Sequence, residues 1–423
     1  MEDFNRIRGK IKGQIKRFSG MLVKDFPKPD QKFITEVIYG IQASKDVKLS
    51  NIGRALKEKI SLKKTEDRLS YNISKEDISH KINERISFLS SKRMHDEMVL
   101  SLDIGDVRKY YAKAMENLAK VRDGSKKEIG DGYWLCKVIA ADISGEKIIP
   151  LYNELYSQES KDFRSENHQM LKAIDTVIVH TKKKGIWAID RGGDRNKILE
   201  ALLERRQRFV IRLVGDRDLI DKDGYKINSL QMATCYRGRH QAKIVRIKNG
   251  KEKVYHLRYD MLPVRLPWNG TPLFMVIIKG FGEKPMMLLT NLKVETKIKE
   301  SIWRVAEIYF ARWKCEESFR YIKQSYNLED IRLLTYKGLR NMVSFLLAVS
   351  YFVSTYLGDS LKLKLLFEKI LIISNRFFGV PTFFHYAVAD GIYNCLFSGK
   401  SGLDEKRKTY VNFQLALPFD EWM

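Results

Sequence analysis

Apolar residues recur every three to four positions through most of the first 95 residues. The pattern runs through five segments: FNRIRGKIKGQIKRFSGMLV, FITEVIYGIQ, LSNIGRALKEKI, TEDRLSYNI and DISHKINERISFL. This spacing puts the apolar side chains on one face of a helix. The sequence therefore predicts that residues 1–95 form a helical domain, in which short helices are joined by brief turns.

From Met98 onward, short apolar runs alternate with helical segments. The runs read as strands: MVLSLDI, GYWLCKVIAAD, KIIPLYNEL, GIWAIDRGGD and RFVIRLVGD. The helical segments are SENHQMLKAIDTVIVH, with Ser165 as a candidate N-cap, and NKILEALLERR. Strands followed by helices are typical of a mixed α/β sheet, and we assign residues 96–215 to its first part. In such sheets ligands are usually held at strand ends.

Residues 216–296 have the pattern of strands without helices. Asn249-Gly250 separates two alternating segments in KIVRIKNGKEKVYHLRYDML, which predicts a hairpin. LFMVIIKG and PMMLLTNL read as further strands. A helix within residues 297–335 follows, so this β region is predicted to be an insertion within the α/β unit. Residues 336–423 are predicted to be helical.

The apolar run MVSFLLAVSYFVSTYL in this last region is short for a membrane span and contains serines and tyrosines. It is therefore predicted to be a buried helix.

The net charge indicates which kind of partner the protein binds. The 423 residues carry a formal charge of +25, and residues 1–95 hold 22 Lys and Arg against 12 Asp and Glu. Charge spread along the whole chain favours nucleic acid over an anionic membrane surface, which calls for a concentrated basic run. The N-terminal helices are then equally consistent with helix-turn-helix DNA binding and with a plain bundle that has a basic surface.

The cysteines and the N-terminus bear on location. The four cysteines are far apart and include no C-x-x-C pair, which argues against a zinc knuckle and a disulfide framework and favours a reducing compartment. The N-terminal residues MEDFNRIRGK lack the apolar core of a signal peptide. We expect a cytoplasmic protein.

The stretch YFARWKCEESFRYIK reads as one helix with two different faces. At about 100° per residue, its polar face spans about 60° and holds Tyr309, Arg312, Glu316 and Lys323. The neighbouring apolar stripe holds Ile308, Ala311, Cys315, Phe319 and Ile322. Taken alone, this pattern is also that of an amphipathic helix with a solvated face of paired charges.

Three acids stand at positions suited to one reaction. Asp103 and Asp190 end predicted strands, and Glu316 lies on the helix after the β insertion. A cluster of carboxylates suits Mg²⁺ or Mn²⁺, and two such ions support phosphoryl transfer. The sequence contains no P-loop, no G-x-S-x-G elbow and no H-E-x-x-H motif that would indicate another chemistry.

Each acid has neighbours that compete for its role. Asp106 could instead cap a helix-like segment, DVRKYYAKAMENL, and Asp142 precedes Ser144-Gly145 and reads as a turn acid. Asp194 lies near the start of the next helix, where an acid has a structural reason. Glu317 points about 80° away from the Tyr309 direction, on the other side from Glu316.

The pattern Y-x2-R-x3-E-x6-K resembles the signature of a large group of bacterial insertion-sequence transposases with a DDE active site. LDIGDVRKYYAKAMENLAKVRDGSKKEIGDGYWL is similar to the family's segment around its first catalytic aspartate, and AIDRGGD to that around the second. The order of acid, acid, β insertion and helix also agrees. The resemblance covers roughly residues 95–340.

The resemblance implies a ribonuclease H-like catalytic core interrupted by a β-strand insertion. A helical DNA-binding region, residues 1–95, precedes it, and a helical region that pairs subunits in dimerisation, residues 336–423, follows it. Asp103, Asp190 and Glu316 would hold two Mg²⁺ or Mn²⁺ ions. Tyr309, Arg312 and Lys323 would grip phosphates near the cleaved bond.

Two further residues have two readings each. Arg320 is expected either to contact phosphate or to form a solvated ion pair. Trp268, in LPWNG, either stacks on an unpaired base or fills a small local core.

The leading hypothesis is a DNA transposase that binds terminal inverted repeats, cuts at the element ends and joins the 3′-OH to target DNA. It would act as a homodimer on paired ends, near the bacterial nucleoid and not at a membrane. The alternatives are a domesticated DNA-binding or regulatory protein on the same fold and a stand-alone nuclease.

Overall fold

Five helices come first in the chain, as the spacing of the apolar residues predicts. The computed structural model describes residues 2–124, 128–248, 251–358, 361–374, 383–399 and 401–403. The five helices are α1 (Glu2–Leu22), α2 (Lys28–Ser44), α3 (Leu49–Leu56), α4 (Leu62–Lys75) and α5 (Ser79–Ser90). Their buried residues belong to the same hydrophobic core as the sheet and the C-terminal helices.

A single mixed sheet of twelve strands lies at the centre of the described chain. Its first six strands are β1 (Val99–Arg108), β2 (Ala119–Arg122), β3 (Ile129–Ala141), β4 (Ile148–Tyr156), β5 (Ile186–Ile189) and β6 (Arg208–Arg212). Between them lie α6 (Glu166–Thr181) and α7 (Asn196–Glu204). Ser165 is the N-cap of α6, as predicted, because its side chain accepts a hydrogen bond from the His168 amide.

The order of these strands places the predicted acids together. β3 pairs antiparallel with β1 on one edge and with β4 on the other. On its far side β1 pairs parallel with β5, which in turn pairs parallel with β6. Both faces of this part of the sheet are covered, so its strands are apolar over most of their length. The protein is thus a mixed α/β protein, as the sequence predicts.

The predicted β region continues this same sheet. Its strands are β7 (Asp218–Ile220), β8 (Lys226–Asn228), β9 (His240–Lys248), β10 (Lys251–Arg265), β11 (Pro272–Lys279) and β12 (Met286–Thr290). β12 pairs antiparallel with β6, so the insertion extends the core sheet. The expectation that it has no helix was wrong, because α8 (Ser229–Cys235) forms with Asn228 as its N-cap. β9 and β10 pair as predicted for a hairpin, and its turn residues 249–250 lie outside the described residues.

The remaining helices are α9 (Lys299–Ala311), α10 (Trp313–Ser325), α11 (Tyr336–Ser354), α12 (Leu361–Ile373) and α13 (His385–Phe397). α9 covers one sheet face with a smaller core, while α10 and α11 belong to the main core. Among the described helices, the segment Tyr336–Gly358 is long and apolar enough to cross a membrane, but 89% of its apolar window is buried in the protein. The predicted buried helix is confirmed. The C-terminal tail LALPFDEWM lies outside the described residues.

One local expectation was wrong. The segment DVRKYYAKAMENL does not form a helix: β1 runs to Arg108, and the chain from 109 to 118 is irregular. Contacts distant in sequence hold this segment, since the Glu116 amide donates to the Leu334 carbonyl and the Tyr133 hydroxyl to the Glu116 carbonyl. These contacts override the helical pattern of the segment.

Candidate active site

Asp103 and Asp190 are neighbours because of strand register. In the parallel pairing of β1 with β5, Leu102 is opposite Ile189. Asp103 directly follows Leu102, and Asp190 directly follows Ile189. The Asp190 carboxylate also accepts a 2.8 Å hydrogen bond from the Gly192 amide and so caps a short turn. The two acids therefore lie at one place in the sheet. Asp190 directly follows β5 as predicted, but the prediction that Asp103 ends its strand was wrong, because β1 continues to Arg108.

Glu316 reaches this place from α10, which packs over β1. The Cys315 thiol donates to the Ser101 carbonyl at 3.7 Å, and the Phe319 ring lies against Gly105. Asp103 and Glu316 both line an open cleft of about 630 Å³ between β1 and α10. The apolar stripe of the sequence thus docks this helix onto the sheet.

The signature segment is two helices and not one. α9 ends at Ala311 and α10 begins at Trp313, with Arg312 between them. At this point the hydrogen bonds tighten to three residues, from the Arg312 amide to the Tyr309 carbonyl and from the Cys315 amide to the Arg312 carbonyl. Arg312 therefore occupies a turn of its own between two elements of the site.

The ionisation of Asp103 depends on the charges of the other site residues. The pKa of Asp103 is raised from 3.8 to about 7, first because the carboxyl is buried and then because the charges of Asp190 and Glu316 repel its own. The positive charge of Arg312 acts in the opposite direction. Residues from three separate parts of the chain are thus close enough to influence one ionisation.

Arg312 is the cation at the centre of this group. Its Nη2 donates to Glu316 Oε1 at 2.5 Å, and its Nη1 lies 3.9 Å from Asp103 Oδ2. Its guanidinium lies 5.6 Å from the centroid of the Tyr309 ring. Burial lowers the pKa of Arg312, but the charges of Tyr309, Asp103 and Glu316 outweigh this and leave the pKa raised.

The other predicted DNA-contacting residues differ in exposure. Tyr309 is only 6% exposed and packs in the smaller core. Lys323 lines the cleft and pairs with Asp106 Oδ2 at 3.3 Å and Glu329 Oε1 at 3.0 Å. Arg320 also lines the cleft, is exposed, and forms no ion pair with any described residue.

The competing acids have partners of their own. Asp106 lies inside β1 and pairs with Lys323, so its expected role as a helix cap was wrong. Asp142 is a turn acid as predicted, since it accepts from the Lys147 amide at 3.1 Å.

Asp194 accepts from the Val214 amide and from Arg217, and its side chain is 1% exposed. Glu317 lies 3.3 Å from the ammonium of Lys314.

Trp268 lies in the turn between β10 and β11. Its side chain is 38% exposed, and the Arg217 guanidinium lies 5.6 Å from the ring centroid. The indole is therefore placed on the surface and not inside a small core.

The sequence reasoning missed Lys137 on β3. It lies opposite Asp103 in the β1–β3 pairing, is fully buried, and donates to Ser318 Oγ at 2.7 Å. The signal that could have found it is a single lysine inside the apolar run WLCKVIAA, because lysine is rarely buried.

The carboxylates have the oxygen ligands that Mg²⁺ and Mn²⁺ prefer. Within the described residues, however, no group of three or more His, Cys, Asp or Glu side chains lies close enough to hold a metal ion. In this arrangement the guanidinium of Arg312 lies against two of the three carboxylates, those of Asp103 and Glu316.

Comparison with known proteins adds one observation. Residues 161–352 match the family model of the transposase DDE domain. This segment is less than half of the chain; it includes Asp190, Arg312, Glu316 and Lys323 but not Asp103. The match supports assignment to the DDE transposases, while the finer group that carries the Y-x2-R-x3-E-x6-K signature stays a prediction.

The chain is also similar to a solved structure of piggyBac transposase in a synaptic complex with hairpin DNA. The identity is 11%, the TM-score is 0.39, and the similarity covers 84% of this chain and 76% of that chain. A likeness this slight carries no argument about fold or function. Among curated proteins, none matches the chain.

Proposed function

We propose that this protein is a DDE transposase that binds the terminal inverted repeats of its own insertion sequence. It cleaves DNA at the element ends and joins the 3′-OH ends to target DNA. The observation that carries the proposal is the match of residues 161–352 to the transposase DDE domain. Asp103 lies outside that match. Its place within β1, beside Asp190 at the end of the neighbouring parallel strand β5, supports it as the third acid.

We infer a ribonuclease H-like core from the same arrangement. Asp103 lies within β1, Asp190 directly follows the parallel neighbour β5, and Glu316 stands on a helix packed over β1. The strands from β7 to β12 are then the insertion, although they share the sheet of the core. The domain boundaries proposed from the sequence stay predictions.

The cleft has the cations that a DNA backbone requires. Arg320 and Lys323 line it, and Arg312 lies beside Glu316. An arginine presents a planar fork to phosphate oxygens, and a lysine acts as a point charge. We propose that these three side chains hold phosphates near the cleaved bond, and that Asp103, Asp190 and Glu316 are ligands of two Mg²⁺ or Mn²⁺ ions.

Coordinated cutting of two element ends requires two active sites, so we propose a homodimer on paired DNA ends. The net charge of +25 supports a DNA partner, and we place the protein in the bacterial cytoplasm at the nucleoid. A complex of one protein chain with two paired ends would contradict the dimer.

The test is a cleavage assay on labelled DNA that carries the element's own ends. Wild type, Glu316→Gln and Glu317→Gln are compared in Mg²⁺, in Mn²⁺ and in EDTA. We expect metal-dependent nicking at the end and joining to a plasmid, lost in Glu316→Gln and retained in Glu317→Gln, because Glu317 pairs with Lys314. Tight end binding without cutting by wild type would favour the domesticated DNA-binding protein. Cutting without joining would favour a nuclease.

A further inference from the structure

The arrangement of the three acids disagrees with the metal chemistry that the proposed function requires. Their oxygen atoms are suitable ligands, yet within the described residues they do not form a group able to hold a metal ion. A cation is nevertheless present among them. The guanidinium of Arg312 contacts Glu316 at 2.5 Å and Asp103 at 3.9 Å.

The guanidinium can act as a counter-ion for both carboxylates because it offers two Nη groups. Nη2 faces Glu316 on α10, and Nη1 faces Asp103 on β1. The side chain of Arg312 is only 12% exposed, which limits the competition of water for these contacts. A divalent ion that took the same two carboxylates would have to take them from Arg312.

The contacts of Arg312 also leave part of its hydrogen-bonding capacity unused. Its Nε atom is buried and has no hydrogen-bond partner among the described residues. A buried donor without a partner is costly, so the present pairing is not the best that this guanidinium can have. A phosphate group, which accepts bidentate bonds from arginine, would satisfy it better.

Lys323 shows that this arrangement is particular to Arg312. It is a second cation of the same signature, also beside the cleft, but its partners are Asp106 and Glu329. Neither of these acids is one of the three proposed metal ligands. A matched control on the same helix is Lys314, which pairs with Glu317 and is not among the proposed phosphate contacts.

We propose that Arg312 is the internal counter-ion of the active site in the DNA-free protein, and that it competes with a divalent metal ion for Glu316 and Asp103. A DNA phosphate in the cleft draws the guanidinium away from the two carboxylates. DNA and metal therefore bind cooperatively, and each raises the affinity for the other by the same factor. This inference rests on the proposed function for its ligands.

The first test is a titration of the DNA-free, full-length protein with Mn²⁺, in which the free ion is followed by electron paramagnetic resonance. Arg312→Gln keeps a polar side chain but removes the charge. We expect it to bind Mn²⁺ about tenfold more tightly than wild type, the order of change for one charge pair in a half-buried site. Lys314→Gln, which removes a charge from the same helix, should leave the Mn²⁺ affinity unchanged.

Two results of this titration would overturn the proposal: weaker Mn²⁺ binding in Arg312→Gln, or an affinity equal to that of wild type. Thermal unfolding of each variant shows whether it is folded. The double variant Arg312→Gln with Glu316→Gln should not bind Mn²⁺ more tightly than wild type, because the carboxylate that Arg312 released is then gone. Tighter Mn²⁺ binding in the double variant would mean that Arg312 does not compete with the metal for Glu316.

The second test measures the cooperativity with a short non-specific DNA duplex. Added duplex should raise the Mn²⁺ affinity of wild type and of Lys314→Gln, but not that of Arg312→Gln. An equal effect of DNA on all three proteins would be a property of the DNA alone and would contradict the proposal.

Neither test requires cleavage or end recognition. A protein that shows the Mn²⁺ competition but never cuts would therefore refute the transposase proposal and leave this one standing. A protein that cuts DNA but shows no Mn²⁺ competition would refute only the role of Arg312 as an internal counter-ion.

Discussion

Lys137 lies directly opposite Asp103 in the antiparallel pairing of β1 and β3, and its side chain is completely buried. Its ammonium donates to Ser318 on α10 and lies 5.2 Å from the centroid of the Phe319 ring. Burial lowers the pKa of Lys137 from 10.5 to about 8, against the opposing influence of Cys315 and Asp103. A buried charge thus connects the strand next to Asp103 with the helix that carries Glu316.

Lys137→Met is expected to make the protein more stable and less active. A pKa lowered to about 8 corresponds to roughly 3 kcal/mol of cost for the charged form, and the lost hydrogen bond offsets about 1 kcal/mol of it. We expect the free energy of unfolding, measured in urea, to rise by about 1–2 kcal/mol. Cleavage should fall, because α10 loses a polar link to the sheet.

Ser318→Ala is the control for this prediction, since it removes the same hydrogen bond but keeps the charge. It should lower the stability. A Lys137→Met protein that is less stable than wild type would show that the lysine serves the fold and not the site.

Gly105 is required by the close approach of α10 to β1. A Cβ atom at Gly105 would lie 2.7 Å from Cε1 of Phe319, so the ring and the helix would have to move. We expect Gly105→Ala to lower the free energy of unfolding by about 1–3 kcal/mol, as overpacking of a core does. Gly9→Ala on α1 is the control: nothing lies within 4 Å of its Cβ position, so it should be neutral or stabilising.

The second half of this experiment is a double-mutant cycle. In a Phe319→Leu background the smaller side chain makes room, so Gly105→Ala should cost less than it does alone. Equal costs in the two backgrounds would show that the strain is not between these two residues.

Much of this fold follows from local patterns. The helical spacing located α1 to α5, and the apolar run before Asp190 located the end of β5. These features are predictable because they depend on which face of one element is buried. The polar face predicted for residues 309–323 also placed Arg312 beside Glu316, because residues four apart lie close together in a helical backbone. The structure has an ion pair between them.

What could not be predicted depends on contacts distant in sequence. The break at Arg312 has no proline or glycine to announce it. The pairing of β12 with β6 joins strands about 75 residues apart, and apolar spacing does not specify a partner strand. The polar link between Lys137 and Ser318 likewise spans β3 and α10 and has no local signal beyond one unusual lysine.

His385 should make stability depend on pH. Burial, together with the positive charges of Lys314 and Lys137, lowers its pKa from 6.5 to about 3. Its ring lies 4.6 Å from that of Phe383 and 4.7 Å from that of Phe384. The folded protein therefore keeps this imidazole neutral where the unfolded chain binds a proton.

The sign follows from the two pKa values. The contribution of a neutral His385 is full above pH 6.5 and is lost as the pH falls from 6.5 towards 3. At pH 5 the loss is roughly 2 kcal/mol. We expect His385→Leu to flatten the dependence of the unfolding free energy between pH 5 and 7. His80→Leu, at an exposed histidine paired with Glu84, should keep the wild-type slope; equal slopes in wild type and His385→Leu would contradict the prediction.

Trp268 provides the test of base stacking near the cut end. Its indole is already 38% exposed, and Arg217, which pairs with the buried Asp194, lies against the ring. Removal of the ring should therefore change stability little. An aromatic ring that stacks on a base contributes about 1–3 kcal/mol to binding, whatever the base.

We expect Trp268→Ala to weaken binding to a duplex with one unpaired base near the element end by this amount, as measured by fluorescence anisotropy. Trp268→Phe should retain most of the affinity, and neither variant should change the binding of a fully paired duplex. An equal loss on both DNAs would mean that Trp268 supports the shape of the β10–β11 turn and contacts no base. A large fall in the unfolding free energy of Trp268→Ala would point to the same structural role.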